Sequence, residues 1–307
     1  MDRLLRCLLA FLVASWFMGA PLTHASDYTF QTIDFAGADE FVIYDINNAG
    51  QMVGTYDVGS VEYGFLYDGT DFTTIAVPGA VETSAFGIND AGHVVGSYED
   101  AEGNKFGFLY DGTGFTTITV DGAEEVFAFG INNNGLVVGL ADARTFVYDG
   151  TDYQVIDIPI SFIKNDINNA GQIVGNYLIG AGEVASFCGF IYEGGHYITV
   201  YNIGSSNFVL GINDAGTVVG SYGDDFSDFS HGFIDDGTEY QTIDVDGAST
   251  VLLTGINNAG QIVGIYEDSS EIQHGLLATP TPLPASALLL GTGLLGLGLL
   301  GRRRRRS

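Results

Sequence analysis

Between residues 28 and 279 the chain is a succession of short apolar runs, rich in aromatic and β-branched residues, separated by polar turns of Asn, Asp and Gly. Such runs suit a pleated, half-buried surface, and none keeps the 3.6-residue spacing of an amphipathic helix. Residues 84–88, 93–98, 106–110 and 115–120 read as four consecutive strands, a to d. Between the first two, Asn89-Asp90-Ala91-Gly92 predicts a type I turn closed by a glycine in the left-handed conformation. Between the third and fourth, the Asp-Gly of Tyr110-Asp111-Gly112-Thr113 predicts a tight two-residue hairpin. Both turns make the neighbouring strands antiparallel, so the unit is a four-stranded meander.

The unit recurs. Ile-Asn-Asn-Ala-Gly-Gln-Ile-Val-Gly, with small variations, starts at Ile46, Ile88, Ile131, Ile167, Ile212 and Ile256. A spacing near forty residues in an all-β pattern is that of propeller blades. The strand order then distinguishes a ring from an open stack. A d-type strand at 28–34 precedes any a, b or c strand, while the last set (254–257, 261–266, 274–277) has no d strand after it. Pairing the spare first strand with the incomplete last blade removes two open sheet edges. A solenoid has no use for this offset. The expected fold is therefore all-β: a six-bladed β-propeller of four-stranded antiparallel blades, closed by the N-terminal strand completing the last blade.

The ends of the chain carry different patterns. Two arginines, Arg3 and Arg6, precede the apolar run 7–19 and then Thr23-His24-Ala25. This predicts a secretory signal peptide over 1–25, cleaved by signal peptidase between Ala25 and Ser26. The propeller is expected over 26–279. From 280 to 307 come a Pro-rich linker, the uncharged apolar stretch 285–301 and five arginines at 302–306. Seventeen residues rise about 25 Å as a helix, enough for a short transmembrane helix that anchors the chain transiently, with the arginines on the cytoplasmic side.

This tail resembles the PEP-CTERM sorting signal of Gram-negative bacteria, with Pro282-Leu283-Pro284 standing where the family name calls for Pro-Glu-Pro. The resemblance implies processing by a membrane exosortase and placement at the cell surface or in the extracellular matrix. The repeats, with Gly64-Phe65-Leu66-Tyr67-Asp68-Gly69 and Gly87-Ile88-Asn89-Asp90-Ala91-Gly92, resemble bacterial extracellular HAF repeats. His231-Gly232-Phe233 and His274-Gly275-Leu276 come nearest to the name-giving His-Ala-Phe. Neither resemblance supplies catalytic residues.

Charge narrows the partners. Of 38 acidic and 10 basic residues, the body outside the two terminal segments keeps every acid but Asp2, and only Lys105, Arg144 and Lys164 as cations. Nucleic acid and anionic lipid need Lys/Arg patches, which three scattered cations cannot make. Cys188 is the only cysteine of the body, so no disulfide forms within it.

Candidate chemistry is sparse. His93 fills a turn-adjacent slot held by Gln51, Leu136, Gln172, Thr217 and Gln261 elsewhere, which predicts a solvent-facing residue. His231 and His274 occupy equivalent slots in adjacent blades, where a joint metal site is conceivable but packing is the simpler expectation. The repeated Asn47, Asn48, Asn89, Asp90, Asn132, Asn213, Asp214 and Asn257 are turn residues expected to bond their own backbone. No hydrolase, metalloprotease or phosphate-loop motif is present, so no catalytic residue and no obligatory cofactor are assigned.

The a–b and c–d turns share one rim of the ring and are near-identical between copies; the b–c and d–a connections share the other rim and vary. Carboxylates gather in the variable b–c loops, most densely at Asp224, Asp225 and Asp228, which are weak Ca²⁺ candidates without the order of a known calcium loop. The expected function is a non-catalytic exported surface or matrix propeller binding extracellular polysaccharide or a partner protein. The alternative is a polysaccharide-active hydrolase or lyase with its site at the channel mouth. A paired carboxylate deep on the axis would favour the enzyme, and a shallow acidic rim the binder.

Overall fold

The computed structural model describes residues 28–142, 144–156, 164–180, 186–200, 206–223 and 230–281. The signal segment with Ala25 and Ser26, the loop holding Asp224, Asp225 and Asp228, and the tail from Pro282, Leu283 and Pro284 onward lie outside the described residues. Among the described residues no helix is long and apolar enough to cross a membrane. Phe30–Thr279 form the first of two compact units.

The first unit is a ring of six four-stranded antiparallel sheets, a six-bladed β-propeller. Blade 1 runs outward through Phe41–Ile46, Met52–Val58, Val61–Tyr67 and Phe72–Ile75. Blade 2 follows with Glu82–Ile88, Val94–Glu99, Lys105–Tyr110 and Phe115–Ile118, and blade 3 opens with Val126–Ile131. Blades 4, 5 and 6 begin at Asp166–Ile167, Ser206–Ile212 and Thr250–Ile256. The sixth blade is completed by Tyr28–Ile33, which lies against Gln273–Pro280, as the strand count requires. The Thr32 hydroxyl and the Tyr266 hydroxyl share a hydrogen bond of 2.8 Å across this seam.

Blade packing explains the most regular part of the repeat. Phe65, Phe108, Phe146, Phe190 and Phe233, with Leu276 in the sixth copy, are fully buried at one equivalent position. Each ring lies flat on the glycine of the Val-Gly pair in the adjoining strand. A methyl group on Gly54 would collide with the Val42 carbonyl and stand 2.7 Å from the Phe65 ring, so only glycine fits beneath the phenyl. Burying five such rings supplies a large apolar area where the described residues hold no disulfide, Cys188 being buried and free.

One turn differs from expectation. The c–d connection pairs Tyr110 directly with Phe115, so the loop holds four residues and not two. The Asp111 carboxylate accepts the Thr113 hydroxyl at 2.7 Å and the amides of Thr113 and Gly114 at 2.8 and 2.9 Å, which needs the longer loop and holds the carboxyl well below the usual carboxylate range. The a–b turn is as predicted, with Gly92 at φ 78° and its amide bonded to the Asn89 carbonyl.

Candidate functional site

The axis of the ring has two mouths with different chemistry. At the a–b mouth the repeat builds two closed rings of hydrogen bonds. In the first, the side-chain amides of Asn47, Asn89, Asn132, Asn168, Asn213 and Asn257 each donate to the backbone carbonyl of the next copy at 3.0–3.4 Å. Their side-chain carbonyls accept two amides of their own turn, the local bonding the sequence suggested. In the second ring the backbone amides of Asn48, Asp90, Asn133, Asn169, Asp214 and Asn258 each donate to the next side-chain oxygen at 2.7–2.9 Å. Asp90 and Asp214, three blades apart, each accept further amides from both flanking asparagines. Despite partial burial, these bonds hold Asp90 below the usual carboxylate range.

Beneath the rings lies a charged cluster that counting residues along the chain did not reveal. Asp45 and Asp166 stand in slots otherwise filled by Gly87, Gly130, Gly211 and Gly255, and Lys164 in a slot otherwise filled by Ile43, Ala85, Ala128, Val209 and Leu253. Those departures from the repeat are the signal that could have found them. All three residues are buried. Asp45 accepts the amides of Ile46 and Ile88 at 2.8 and 2.9 Å, and Asp166 those of Ile167 and Ile212 at 2.8 and 3.0 Å. The Lys164 ammonium donates to the carbonyls of Tyr44, Leu210 and Thr254 at 3.0, 3.3 and 2.9 Å. Burial pushes the Asp45 carboxyl up to about 7, with Asp166 reinforcing and Lys164 opposing the shift. Burial raises Asp166 as well, again opposed by Lys164.

This paired carboxylate on the axis is the feature stated above as favouring an enzyme. Its surroundings offer little room for a substrate. The open pocket lined by the asparagine rings is about 60 Å³, space for a few waters and well below the roughly 300–1,000 Å³ of small-molecule sites. Asp45 and Asp166 are tied by two backbone amides each.

At the opposite mouth the inner strands present aromatic side chains. Tyr44 meets Phe86, Phe86 meets Phe129, and Phe129 stacks on Phe127, with ring centroids 5.2, 5.1 and 5.8 Å apart. Burial, reinforced by Glu62, pushes the Tyr44 hydroxyl up to about 12. Beside these rings a second cavity of about 110 Å³ is walled by Phe86, Tyr98 and Phe127 and edged by Glu62, Glu82 and Glu99. The Ser84 hydroxyl donates to Glu62, and burial raises the Glu62 carboxyl nonetheless.

The histidines take separate places. His231 shares a hydrogen bond of 3.0 Å with Asp244 and stacks on Tyr222; His274 contacts Asp34 at 3.1 Å and Asp268 at 3.5 Å and stacks on Tyr266. Each thus has its own carboxylate and its own aromatic platform. His93 is half-buried beside its turn, not fully solvent-facing as its slot suggested. Among the described residues no group of His, Cys, Asp and Glu is arranged to hold a metal.

No protein-family model matches the chain, and no curated protein matches it. Solved structures do align with most of it. An Aleuria aurantia lectin mutant in complex with α-methyl-L-fucoside superposes with a TM-score of 0.43 at 10% identity, over 83% of this chain and 99% of the lectin. Trypanosoma rangeli sialidase gives 0.47 at 11% identity, over 82% of this chain and 54% of its own. A mutant of AofleA from Arthrobotrys oligospora gives 0.49 at 8% identity, over 81% and 86%. At such identities the likeness is one of fold.

Proposed function

We propose that the protein is an exported, non-catalytic surface or extracellular-matrix propeller that binds glycan at the variable mouth of its channel. The observation that carries this reading is the contrast between the two mouths. One is closed by twelve near-identical turn residues bonded to one another, over a cavity of about 60 Å³. The other gathers aromatic faces and carboxylates that differ from blade to blade. Aromatic faces with nearby acceptors suit sugar rings and their hydroxyls, and a partner protein using the same face is the competing occupant. Export follows from the signal-like segment 1–25 and the tail 280–307, with cleavage after Ala25 and near Pro284. Mature material would then lack residues 285–307.

The polysaccharide-active alternative has one feature in its favour, the axial pair Asp45 and Asp166. Against it stand the small cavity and the paired amides that occupy each carboxylate. Purified protein incubated with neutral, amino- and uronate-bearing polysaccharides decides between them. Retention of at least one polysaccharide without new reducing ends supports the binder. Reducing ends that vanish with Asp45→Asn or Asp166→Asn would establish the enzyme, and retention of none would remove the glycan reading.

A further inference from the structure

In four of the described copies a side chain near the start of the third strand reaches the next blade, and it differs each time. Glu62 there meets Ser84, Lys105 meets Phe127, Phe187 packs against Phe208 with centroids 4.5 Å apart, and Gln273 donates to the Phe41 carbonyl at 2.7 Å. The first two of these contacts adjoin, and between them lies the cavity of about 110 Å³. We propose that this cavity is a subsite for an amino sugar with a free ammonium group, carried by an extracellular polysaccharide. The proposal rests on the glycan-binding reading and specifies its ligand.

The chain itself places an ammonium group against this wall. Lys105 Nζ lies 5.7 Å from the centroid of the Phe127 ring and 3.9 Å from Glu125 Oε1. That is the geometry in which an aromatic face attracts a cation. Phe86 offers a second ring to the same cavity. Glu62, Glu82 and Glu99 face it against Lys105 alone, so the cavity carries excess negative charge that a cationic ligand would neutralise and a uronate would aggravate. Its volume admits one amino group with the carbons that bear it, not a whole oligosaccharide. Ser84 and Ser97, which also line it, match sugar hydroxyls, for which a lysine side chain has no counterpart.

The test is calorimetric titration of the full chain, at mildly acidic pH, with glucosamine oligosaccharides, their N-acetylated counterparts and an oligolysine peptide. Glucosamine oligomers should bind at least about tenfold more tightly than the acetylated ones, since acetylation removes the charge that cation–π and carboxylate contacts read. Glu62→Gln and Phe86→Ala should each weaken binding about three- to tenfold. Lys105→Met should tighten it, because the internal ammonium competes for the same wall; a purely structural lysine would not give that sign. Melting curves identify any variant that fails to fold, and Glu62→Gln with Lys105→Met then suffice. Acetylated or neutral oligomers binding as well as glucosamine oligomers overturn the inference and leave the glycan-binding reading standing. Oligolysine binding as tightly overturns the sugar assignment, and so does weaker or unchanged binding by Lys105→Met. Binding of neither sugar overturns the inference, while retention of another polysaccharide leaves the glycan-binding reading standing.

Discussion

Asn257 donates its side-chain amide to the backbone carbonyl of Asn47 at 3.0 Å, joining residues 210 positions apart. The five other bonds of that ring join residues 36 to 45 apart, so this contact closes the ring, as the Asn258–Asn48 bond closes the second one. The same side chain accepts the amides of Ala259 and Gln261. One asparagine therefore both shapes its own turn and ties two blades.

Asn257→Ala removes both roles and leaves the buried Asn47 carbonyl without that donor. Unfolding in urea should show a loss of about 1–3 kcal/mol from the hydrogen bonds removed, although the Asn47 carbonyl keeps the Gly50 amide. A loss below about 0.5 kcal/mol would mean that the asparagine ring contributes geometry without stability.

The fold was largely legible in the sequence because the strand count is topological: a spare first strand and a last blade short by one imply closure whatever the packing. Turn bonding by Asn89 was legible for a related reason, since its partners Ala91 and His93 are close in sequence. The axial cluster was not. Lys164 reads as one of three scattered cations until the ring brings it to the carbonyls of Tyr44, Leu210 and Thr254. The c–d hairpin was misread because Asp-Gly specifies a two-residue turn only when the aspartate side chain does not capture Thr113 and Gly114. The amino-sugar cavity needs Glu62, Phe86 and Lys105 from two adjoining blades, a proximity no spacing rule encodes.

Deleting residues 26–36 should expose the edge of Gln273–Pro280 and remove both the Thr32–Tyr266 and Asp34–His274 contacts. An unpaired sheet edge invites association. Expected are a much lower melting temperature and concentration-dependent oligomers in light scattering. A monomer of unchanged stability would show that the ring does not depend on its first strand.

Lys164→Met should be among the most damaging single substitutions. It removes the positive charge that favours the ionised form of the buried Asp45 and Asp166, and leaves three carbonyls without their donor. Each buried polar group left without its partner costs about 1–3 kcal/mol. The loss should be smaller in acid, where Asp45 and Asp166 take up protons, and a loss independent of pH would mean that Lys164 acts through its carbonyl contacts alone.

The pH dependence of the intact protein follows from Asp45. Its folded-state acidity lies at about 7 against an ordinary value of 3.8, so the folded chain binds a proton that the unfolded chain releases. The associated stability is fully present below the unfolded value and is lost as pH rises through about 7. Between about pH 3.8 and about pH 7, stability should therefore increase on acidification, by at most about 1.4 kcal/mol per pH unit for one proton. Asp166 and Glu62, also raised, add in the same direction. Repulsion among the surface carboxylates follows the same sign, so Asp45→Asn separates the two contributions. Its absolute stability reflects altered bonding to the amides of Ile46 and Ile88, whereas its slope with pH reports the missing proton. A flatter slope in Asp45→Asn assigns the dependence to the axis, and an unchanged slope assigns it to the surface.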